Sequence, residues 1–198
     1  MAEISAKSVM ELRKSTGLGM MDCKQALKET DGDIEKAVEY LRKKGMAAVE
    51  KRAGREATDG LIVSYIHPGS RLGVLVEVNC ETDFVARTDD FQQFARDVSM
   101  HIAASQPLAV KREDIETELL EKERAIYSEQ AKNEGKPENI AEKIVQGRIE
   151  KFYQENCLME QNFVKNPDQT IEQMITELTA KIGEKIGVRR FSCFRLGE

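Results

Sequence analysis

Residues 79–87, Asn-Cys-Glu-Thr-Asp-Phe-Val-Ala-Arg, join two segments with different hydrophobic patterns and so limit how the middle of this chain can fold. Upstream, valines at positions 74, 76 and 78 show the period-two alternation of a half-buried strand. Downstream, Thr88 is a suitable helix N-cap. Apolar residues then recur at helical spacing at Phe91, Phe94, Val98 and Ile102. Asp83 and Phe84 are therefore predicted on a short strand-to-helix connection, where an exposed acid and aromatic suit docking on a partner better than catalysis.

Composition indicates an ordinary globular protein of one or two small domains. The chain has 198 residues, of which 40% are hydrophobic and 33% charged, and no apolar run of about 18 residues predicts a membrane span. The first residues lack the basic and apolar regions of a signal peptide, and a cytoplasmic location is expected. The net charge of −5 argues against a dedicated nucleic-acid binder.

The cysteines do not form a metal-binding or redox motif. They are scattered, without a C-x-x-C pair, at Cys23, Cys80, Cys157 and Cys193. Free thiols in a reducing compartment are the simplest interpretation.

The first 45 residues are predicted to form a compact three-helix module. Gly17 is placed to end the first helix, Asp33 to cap the third, and Gly45 to end it. Three helices in about forty residues bury little apolar surface, which is typical of a binding module. Residues 46–58 read as a linker, partly helical and rich in basic residues.

Two features of this module have more than one interpretation. Gly17-Leu18-Gly19 resembles a phosphate loop, but the third glycine is absent and a helix precedes it, so a tight interhelical turn is preferred. Met20 and Met21 occupy successive helical positions and point about 100° apart. One is expected to pack inward and the other to be an adaptable exposed contact.

Residues 59–198 are predicted to form an α+β core in which three antiparallel strands carry helices on one side. Segments 61–66 and 74–79 form a hairpin around a Pro-Gly turn. Two long polar helices, 112–133 and 138–155, joined by residues 135–137, make an antiparallel helical hairpin (112–155), with Ile115, Leu119 and Ile126 facing Ile140, Ile144 and Phe152. Thr170 and Gln173 form a capping-box signature, and Gly183 is a natural C-cap residue. The last strand is apolar on both faces, which indicates a strand inside a sheet or one covered by another subunit.

The residues do not predict an active site. The histidines, His67 and His101, fall at the hairpin turn and beside the apolar stripe of a helix, where a solvated and a packed histidine are expected. No H-E-x-x-H, G-x-S-x-G or Walker motif occurs, and Cys80 has no histidine at motif spacing. The chain is predicted to bind a partner rather than to catalyse covalent chemistry, without a metal or cofactor.

Two long motifs resemble those of bacterial elongation factor Ts. Residues 12–24, with Thr-Gly-Leu-Gly-Met-Met-Asp-Cys-Lys, and Gly32-Asp33-Ile34 resemble the N-terminal, UBA-like module of that family. Residues 77–86 resemble its central signature, and the resemblance extends to the closing strand at 188–191.

The resemblance implies a guanine-nucleotide exchange factor for elongation factor Tu. Asp83 and Phe84, with Thr82 and Val85, would insert into the GTPase domain and disturb the region that holds magnesium. Further contacts carried over by position are Arg13, Met20, Met21, Lys24, His67, Ile182 and Gly183, with Phe163 and Val164 touching a second domain of the partner.

Longer family members carry two homologous halves of the core, whereas this chain carries one. A symmetric homodimer, in which each subunit supplies the half that its partner lacks, is therefore predicted, giving a heterotetramer with elongation factor Tu. Cys193 lies on the terminal strand, where either a free thiol or a pairing across the dimer is open.

Two rival classes are weighed against this interpretation. A helical peptide- or ubiquitin-binding module would use residues 1–45 alone. An RNA-binding factor would use Lys51, Arg52 and Arg55, although a solvated charged face is the simpler interpretation. Neither class accounts for an acid-aromatic pair on an ordered connector.

Overall fold

The computed structural model describes residues 4–134 and 137–198, which form eight α-helices and five β-strands. The helices are α1 (Ala6–Thr16), α2 (Met20–Glu29), α3 (Ile34–Arg52), α4 (Asp83–Ala86), α5 (Asp89–Ser105), α6 (Thr117–Asn133), α7 (Glu138–Asn156) and α8 (Ile171–Ile182). The strands are β1 (Asp59–Ile66), β2 (Leu72–Cys80), β3 (Asn162–Phe163), β4 (Asn166–Thr170) and β5 (Gly187–Arg195). The predicted α+β class is confirmed. The predicted link at residues 135–136 and the first three residues of the chain lie outside the described residues.

Contacts divide the chain into two compact units, each built from three segments. Unit 1 comprises the chain up to Leu61, Asn79–Gln92 and Gln173–Gly187. Unit 2 comprises Ile62–Val78, Gln93–Glu172 and Val188–Glu198. The domain boundaries drawn from the sequence stay a prediction, and the two units are described separately.

In the N-terminal helices of unit 1, the predicted end of α1 at Gly17 and the predicted cap of α3 at Asp33 are confirmed. The Ser5 hydroxyl accepts a hydrogen bond from the Ser8 N–H at 3.1 Å, and the Asp33 carboxylate accepts one from the Lys36 N–H at 3.0 Å. Gly17 ends α1 in the left-handed conformation, with φ of 68°. The three helices share a cluster of buried residues: Val9, Leu12, Cys23, Ala26, Leu27, Ala37 and Leu41.

Helix α3 does not end at Gly45, and that part of the sequence prediction was wrong. The helix continues through Gly45 to Arg52 and so covers the first half of the predicted linker. Gly45 is buried against Thr176 and Ala180 of α8; a Cβ placed on it would lie 3.5 and 3.6 Å from their side chains. Packing of α3 on α8 therefore outweighs the helix-breaking tendency of one glycine.

Unit 2 is built on the three-stranded antiparallel sheet, in the order β1-β2-β5. One face is covered, since Val74, Val76 and Val78 of the central strand are buried, whereas Leu75 between them is 46% exposed. Strand β5 lies at the edge of the sheet. Of the two explanations for its apolar faces, a place inside the sheet of this one chain is therefore wrong.

Helices α6 and α7 form the predicted helical hairpin. It is buried mainly at its base, the end where α6 begins and α7 ends. Ile115 and Phe152 belong to one buried cluster, and Leu119 packs against it. Farther along, Ile126 and Ile140 are exposed, so the predicted facing surface covers only part of the hairpin. Arg112 locks the base by ion pairs to the carboxylates of Glu150 and Glu160 at 2.8 and 2.6 Å.

Strands β3 and β4 form a small antiparallel ribbon that the sequence did not predict. Strand β3 has only two residues, and β4 contains Pro167 and mostly polar residues. Neither carries the alternation of a half-buried strand, so the period-two criterion does not detect them.

Two glycine-to-alanine substitutions test this account of α3 and α8. Gly45→Ala should raise the free energy of unfolding by ~0.5–1 kcal/mol, because the new methyl group meets ordinary van der Waals contacts and alanine favours the helix interior. Gly183→Ala should lower it by ~1 kcal/mol, because Gly183 has φ of 87°. Urea unfolding of the parent and both variants measures the difference. Destabilisation by Gly45→Ala would contradict the described packing.

Candidate partner-binding site

The connector between β2 and α5 contains a single helical turn, α4, whose start is capped by Thr82. The Thr82 hydroxyl accepts a hydrogen bond from the Val85 N–H at 3.4 Å. Val85 and Ala86 are buried and anchor the turn in unit 1. The sequence predicted an ordered connector but not this helical turn.

Asp83 and Phe84 are the exposed residues of this turn. The Phe84 ring is 78% exposed, although a phenylalanine in a folded chain is usually buried. The Asp83 carboxylate forms an ion pair with Arg87 at 2.6 Å, one helical turn further on. The turn therefore presents an aromatic ring and a carboxylate to solvent from a fixed backbone.

Two carboxylates hold the connector to the turn that follows α8. The Glu184 carboxylate accepts hydrogen bonds from the backbone N–H groups of Glu81 and Thr82, both at 3.1 Å, and from the Thr82 hydroxyl at 2.8 Å. In the opposite direction, the Glu81 carboxylate accepts a hydrogen bond from the Lys185 N–H at 2.6 Å. We call these four residues, Glu81, Thr82, Glu184 and Lys185, the carboxylate brace.

Basic residues at the end of α3 and just after it complete these contacts. Arg55 forms an ion pair with Glu81 at 3.2 Å, and the Arg52 Nε donates to the Gly183 carbonyl at 2.9 Å. The hydrogen bond from the Lys185 N–H, and then Arg55, hold the pKa of Glu81 below its usual range. Arg52 and Arg55, considered from sequence as RNA contacts, thus have structural partners within unit 1.

The other predicted contact residues of unit 1 lie on its N-terminal helices and at the end of α8. Arg13 and Lys24 are exposed. Met20 and Met21 are both exposed, at 50% and 74%, so the expectation that one packs inward was wrong. The reason is that Cys23, Ala26 and Leu27 supply the buried face of α2. Ile182 and Gly183 are half-buried beside the carboxylate brace.

Unit 2 carries the remaining predicted contacts. His67 is exposed at the β1–β2 turn, where its Nδ1 lies 3.2 Å from the Tyr65 hydroxyl. Val164 is exposed between β3 and β4, but Phe163 is buried. Phe163 is buried, as Val85 is in unit 1, and burial holds each residue's segment in place. A direct contact of either side chain with a partner stays a prediction.

His101 is fully buried in unit 2 as a neutral imidazole. Its Nδ1 accepts a hydrogen bond from the Val164 N–H at 3.3 Å, so its Nε2 carries the proton and donates to the Gln161 side chain at 3.0 Å. Burial lowers the pKa of His101, which the hydrogen bond to Gln161 opposes in part. The prediction of a packed histidine is confirmed, and the contact with Val164 is what sequence reasoning missed.

Two of the buried cysteines are held as thiols, and the described residues contain no metal-binding cluster. Burial raises the pKa of the Cys80 and Cys157 thiols to about 11, which keeps both as inert thiols at neutral pH. Within the described ranges, no group of three or more histidine, cysteine and acidic side chains is placed to hold a metal ion.

Comparison with known proteins identifies the family. Residues 21–198 match the family model described as Elongation factor TS. The chain is 62% identical to elongation factor Ts of Geobacter sulfurreducens over 195 residues, covering 98% of this chain and 90% of that protein. It is 60% identical to elongation factor Ts of Carboxydothermus hydrogenoformans, with the same coverage, and 59% identical to that of Desulforamulus reducens over the whole chain and 91% of the relative.

The chain belongs to the elongation factor Ts family and is a translation elongation factor. This confirms the family that the motifs at residues 12–24 and 77–86 predicted. In the part of the chain that the structure describes, no helix combines the length and apolar character that a membrane span requires.

The buried state of His101 predicts a loss of stability in mild acid. Its pKa is lowered in the folded chain, so the unfolded chain binds a proton first as the pH falls below about 6.5. Neutral His101 therefore makes its full contribution to the free energy of unfolding above that pH and loses it below. The free energy of unfolding should fall by up to ~1.4 kcal/mol between pH 7.5 and 5.5. Urea unfolding at pH 7.5 and at pH 5.5 measures this difference in the free energy of unfolding.

His101→Gln should remove this part of the pH dependence. His67→Gln takes away the other imidazole of the chain and controls for the loss of a histidine as such. Equal pH dependence in the parent and the His101 variant would contradict the neutral buried state.

Proposed function

We propose that this protein promotes release of GDP from elongation factor Tu by inserting Asp83 and Phe84 into the GTPase domain near the bound magnesium. GTP then rebinds to the emptied site. The chain acts as an exchange factor without covalent chemistry of its own. Thr82 and Val85 hold the inserted pair, as cap and buried anchor of α4.

The observation that carries this proposal is the exposure of Phe84 on a fixed turn. An aromatic ring 78% exposed at the tip of an anchored helical turn keeps most of its apolar surface in water in the free chain. It offers apolar area and a stiff shape to a partner, with few rotamers to order on binding. Asp83 beside it supplies a carboxylate that can exchange Arg87 for a group of the partner.

Exchange follows from linkage between two ligands of the same partner. If the GTPase domain cannot hold the Asp83-Phe84 pair and magnesium-GDP equally well, each weakens the other by one shared coupling free energy. Magnesium bridges the phosphate oxygens and neutralises their charge, so a disturbed ion leaves the nucleotide less firmly held.

The other predicted contacts would strengthen binding to elongation factor Tu rather than disturb its bound magnesium. The exposed Met20 and Met21 give α2 an adaptable apolar surface, and the exposed Arg13 and Lys24 lie on α1 and α2 of the same UBA-like group of helices. Ile182 and Gly183 adjoin the carboxylate brace and would meet the GTPase domain together with Phe84. His67, Phe163 and Val164 are proposed contacts of unit 2, the last two with a second domain of the partner.

We also propose that two copies associate through the uncovered face of the sheet. On that face Ile62 and Ile66 alternate along β1, and a Cβ on Gly73 would lie 3.0 Å from Ile66, which places β2 residues 73 and 75 beside them. Phe194 and Leu196 line a groove of about 330 Å³ with Ile66 and Leu72. The exposed apolar residues of this face are Ile62, Ile66 and Leu75, and the exposed Phe194 and Leu196 lie in the adjoining groove.

A second copy is the occupant that fits this surface best. The face is apolar, and the last strand of the sheet carries apolar residues on both of its sides. The motifs of this chain also match one copy of the core, where longer family members have two. A homodimer gives a heterotetramer with two molecules of elongation factor Tu. The complex is proposed to act in the cytoplasm, without a cofactor and without direct binding of nucleic acid.

The proposed insertion of Asp83 and Phe84 is tested by measuring the release of fluorescent GDP from purified elongation factor Tu. The parent should accelerate release strongly, and Asp83→Ala/Phe84→Ala should lower that acceleration about thirtyfold, the size expected for losing a dominant contact of ~2 kcal/mol. The double variant Glu138→Ala/Ile140→Ala removes an exposed acid and an exposed apolar residue from α7 and should behave as the parent.

The assay distinguishes failure of the proposed exchange function from failure of the proposed role of Asp83 and Phe84. No acceleration by the parent with a matched partner would overturn the exchange function. Equal acceleration by parent and Asp83/Phe84 variant would keep the function and move the displacement to Ile182, Gly183 or His67.

The dimer is tested by light scattering after size-exclusion chromatography. The parent should show twice the 22.4 kDa of one chain at micromolar concentration. Leu75→Glu, which puts a charge in the middle of the apolar face, should shift the mass to that of a monomer. Ile126→Glu on α6 makes the same kind of change at a partly exposed position outside the sheet and should leave the dimer intact. A parent that is monomeric would rule out the homodimer.

A further inference from the structure

We propose that Glu184 is a positioning residue for nucleotide exchange, which aligns the Asp83-Phe84 turn with the Ile182-Gly183 turn. The inference rests on the proposed function and extends it to a residue outside both sequence motifs. Glu184 is remote from Asp83 in sequence and follows Gly183 directly. Its side chain reaches the backbone from which Asp83 and Phe84 project.

The carboxylate brace fixes the start of α4 by charge-assisted hydrogen bonds. One Glu184 oxygen receives the N–H groups of Glu81 and Thr82, and the other receives the Thr82 hydroxyl at 2.8 Å. That hydroxyl, oriented by Glu184, accepts the Val85 N–H. Hydrogen bonds to a charged acceptor are stronger than neutral ones, and a chain of them is mutually reinforcing. Glu184 thus extends the N-cap that Thr82 provides.

The brace also fixes the turn that carries Glu184. The Glu81 carboxylate receives the Lys185 N–H, and the Arg52 side chain donates to the Gly183 carbonyl. The Lys185 Nζ donates to the carbonyls of Ala53 and Arg55, both at 2.7 Å. Each of the two segments therefore supplies a carboxylate to the backbone of the other, and within unit 1 they are held in one mutual orientation.

This arrangement predicts an effect on the rate of exchange rather than on affinity. The proposed apolar surface of α2 supplies binding and does not include Glu184. Acceleration depends on bringing Phe84 and Asp83 to one place in the GTPase domain while Ile182 and Gly183 are seated. A small misplacement of positioned groups lowers the rate of a bound complex by one to two orders of magnitude.

The test is a titration of elongation factor Tu carrying fluorescent GDP with excess parent, Glu184→Ala, Glu184→Gln or Glu142→Ala protein. The titration separates the maximal release rate from the half-saturating concentration. Glu184→Ala should lower the maximal rate about tenfold and change the half-saturating concentration less. Glu184→Gln should recover at least about half of the parent rate, because the amide oxygen can still accept both backbone N–H groups. Glu142→Ala, on the exposed side of α7, controls for the loss of a glutamate.

These readouts separate positioning from a general loss of folding. A partly unfolded variant has a lower active concentration, so its half-saturating concentration rises while its maximal rate stays that of the parent. That result would overturn the inference, as would a Glu184→Gln variant no faster than Glu184→Ala. An inactive parent would instead be a failure of the proposed exchange function.

Amide hydrogen exchange of the free protein provides a second readout without the partner. Glu184→Ala should speed exchange at the Thr82 and Val85 amides, both of which the brace protects directly or through the Thr82 hydroxyl. The Ser8 and Lys36 amides, capped independently by Ser5 and Asp33, should keep their parent rates. Unchanged exchange at Thr82 and Val85 would also overturn the inference.

Discussion

The paired hydrogen bonds between the connector and the turn after α8 are the constraint on which the candidate site depends. Glu81 and Glu184 each place a carboxylate on the backbone of the other's segment, at distances between 2.6 and 3.1 Å. The backbone N–H groups of Glu81, Thr82 and Lys185 lie between regular elements and so have no helix or strand partner. The two glutamates supply those partners, and in doing so they fix the direction in which Asp83 and Phe84 project. An exposed aromatic can be held still only if its backbone is held, and here Val85, Ala86 and the brace do so together.

The sequence was informative wherever the determining interaction is local. The caps at Asp33 and Thr88, the left-handed glycine at position 17 and the alternating valines of β2 follow from residues a few positions apart. Motif spacing was enough to predict the family, since the signatures around Met20 and Asp83 are long and in order. The exposed connector was predictable because a carboxylate and an aromatic follow a strand that has already ended.

What the sequence could not show are contacts between residues far apart in the chain. Gly45 reads as a helix end, yet α3 continues because α8 packs on that glycine. Glu184 reads as one of many surface glutamates, and its role depends on Thr82, to which no local pattern connects it. The contact of His101 with Val164 likewise joins a helix to a ribbon too short and polar to be predicted. The burial of α2 was misjudged for a similar reason, because Cys23 and Ala26 pack in place of either methionine.

The four thiols of the chain differ sharply in their surroundings. Cys23, Cys80 and Cys157 are buried, and burial suppresses the thiolate of the last two, whereas Cys193 is exposed on the edge strand β5. A thiol-directed dye or spin label will therefore react first at Cys193. That residue lies on the strand that also carries Phe194, one of the apolar side chains proposed to meet a second copy. The native sequence thus contains its own reporter position for assembly, and approach of another subunit can be followed without introducing or removing a cysteine.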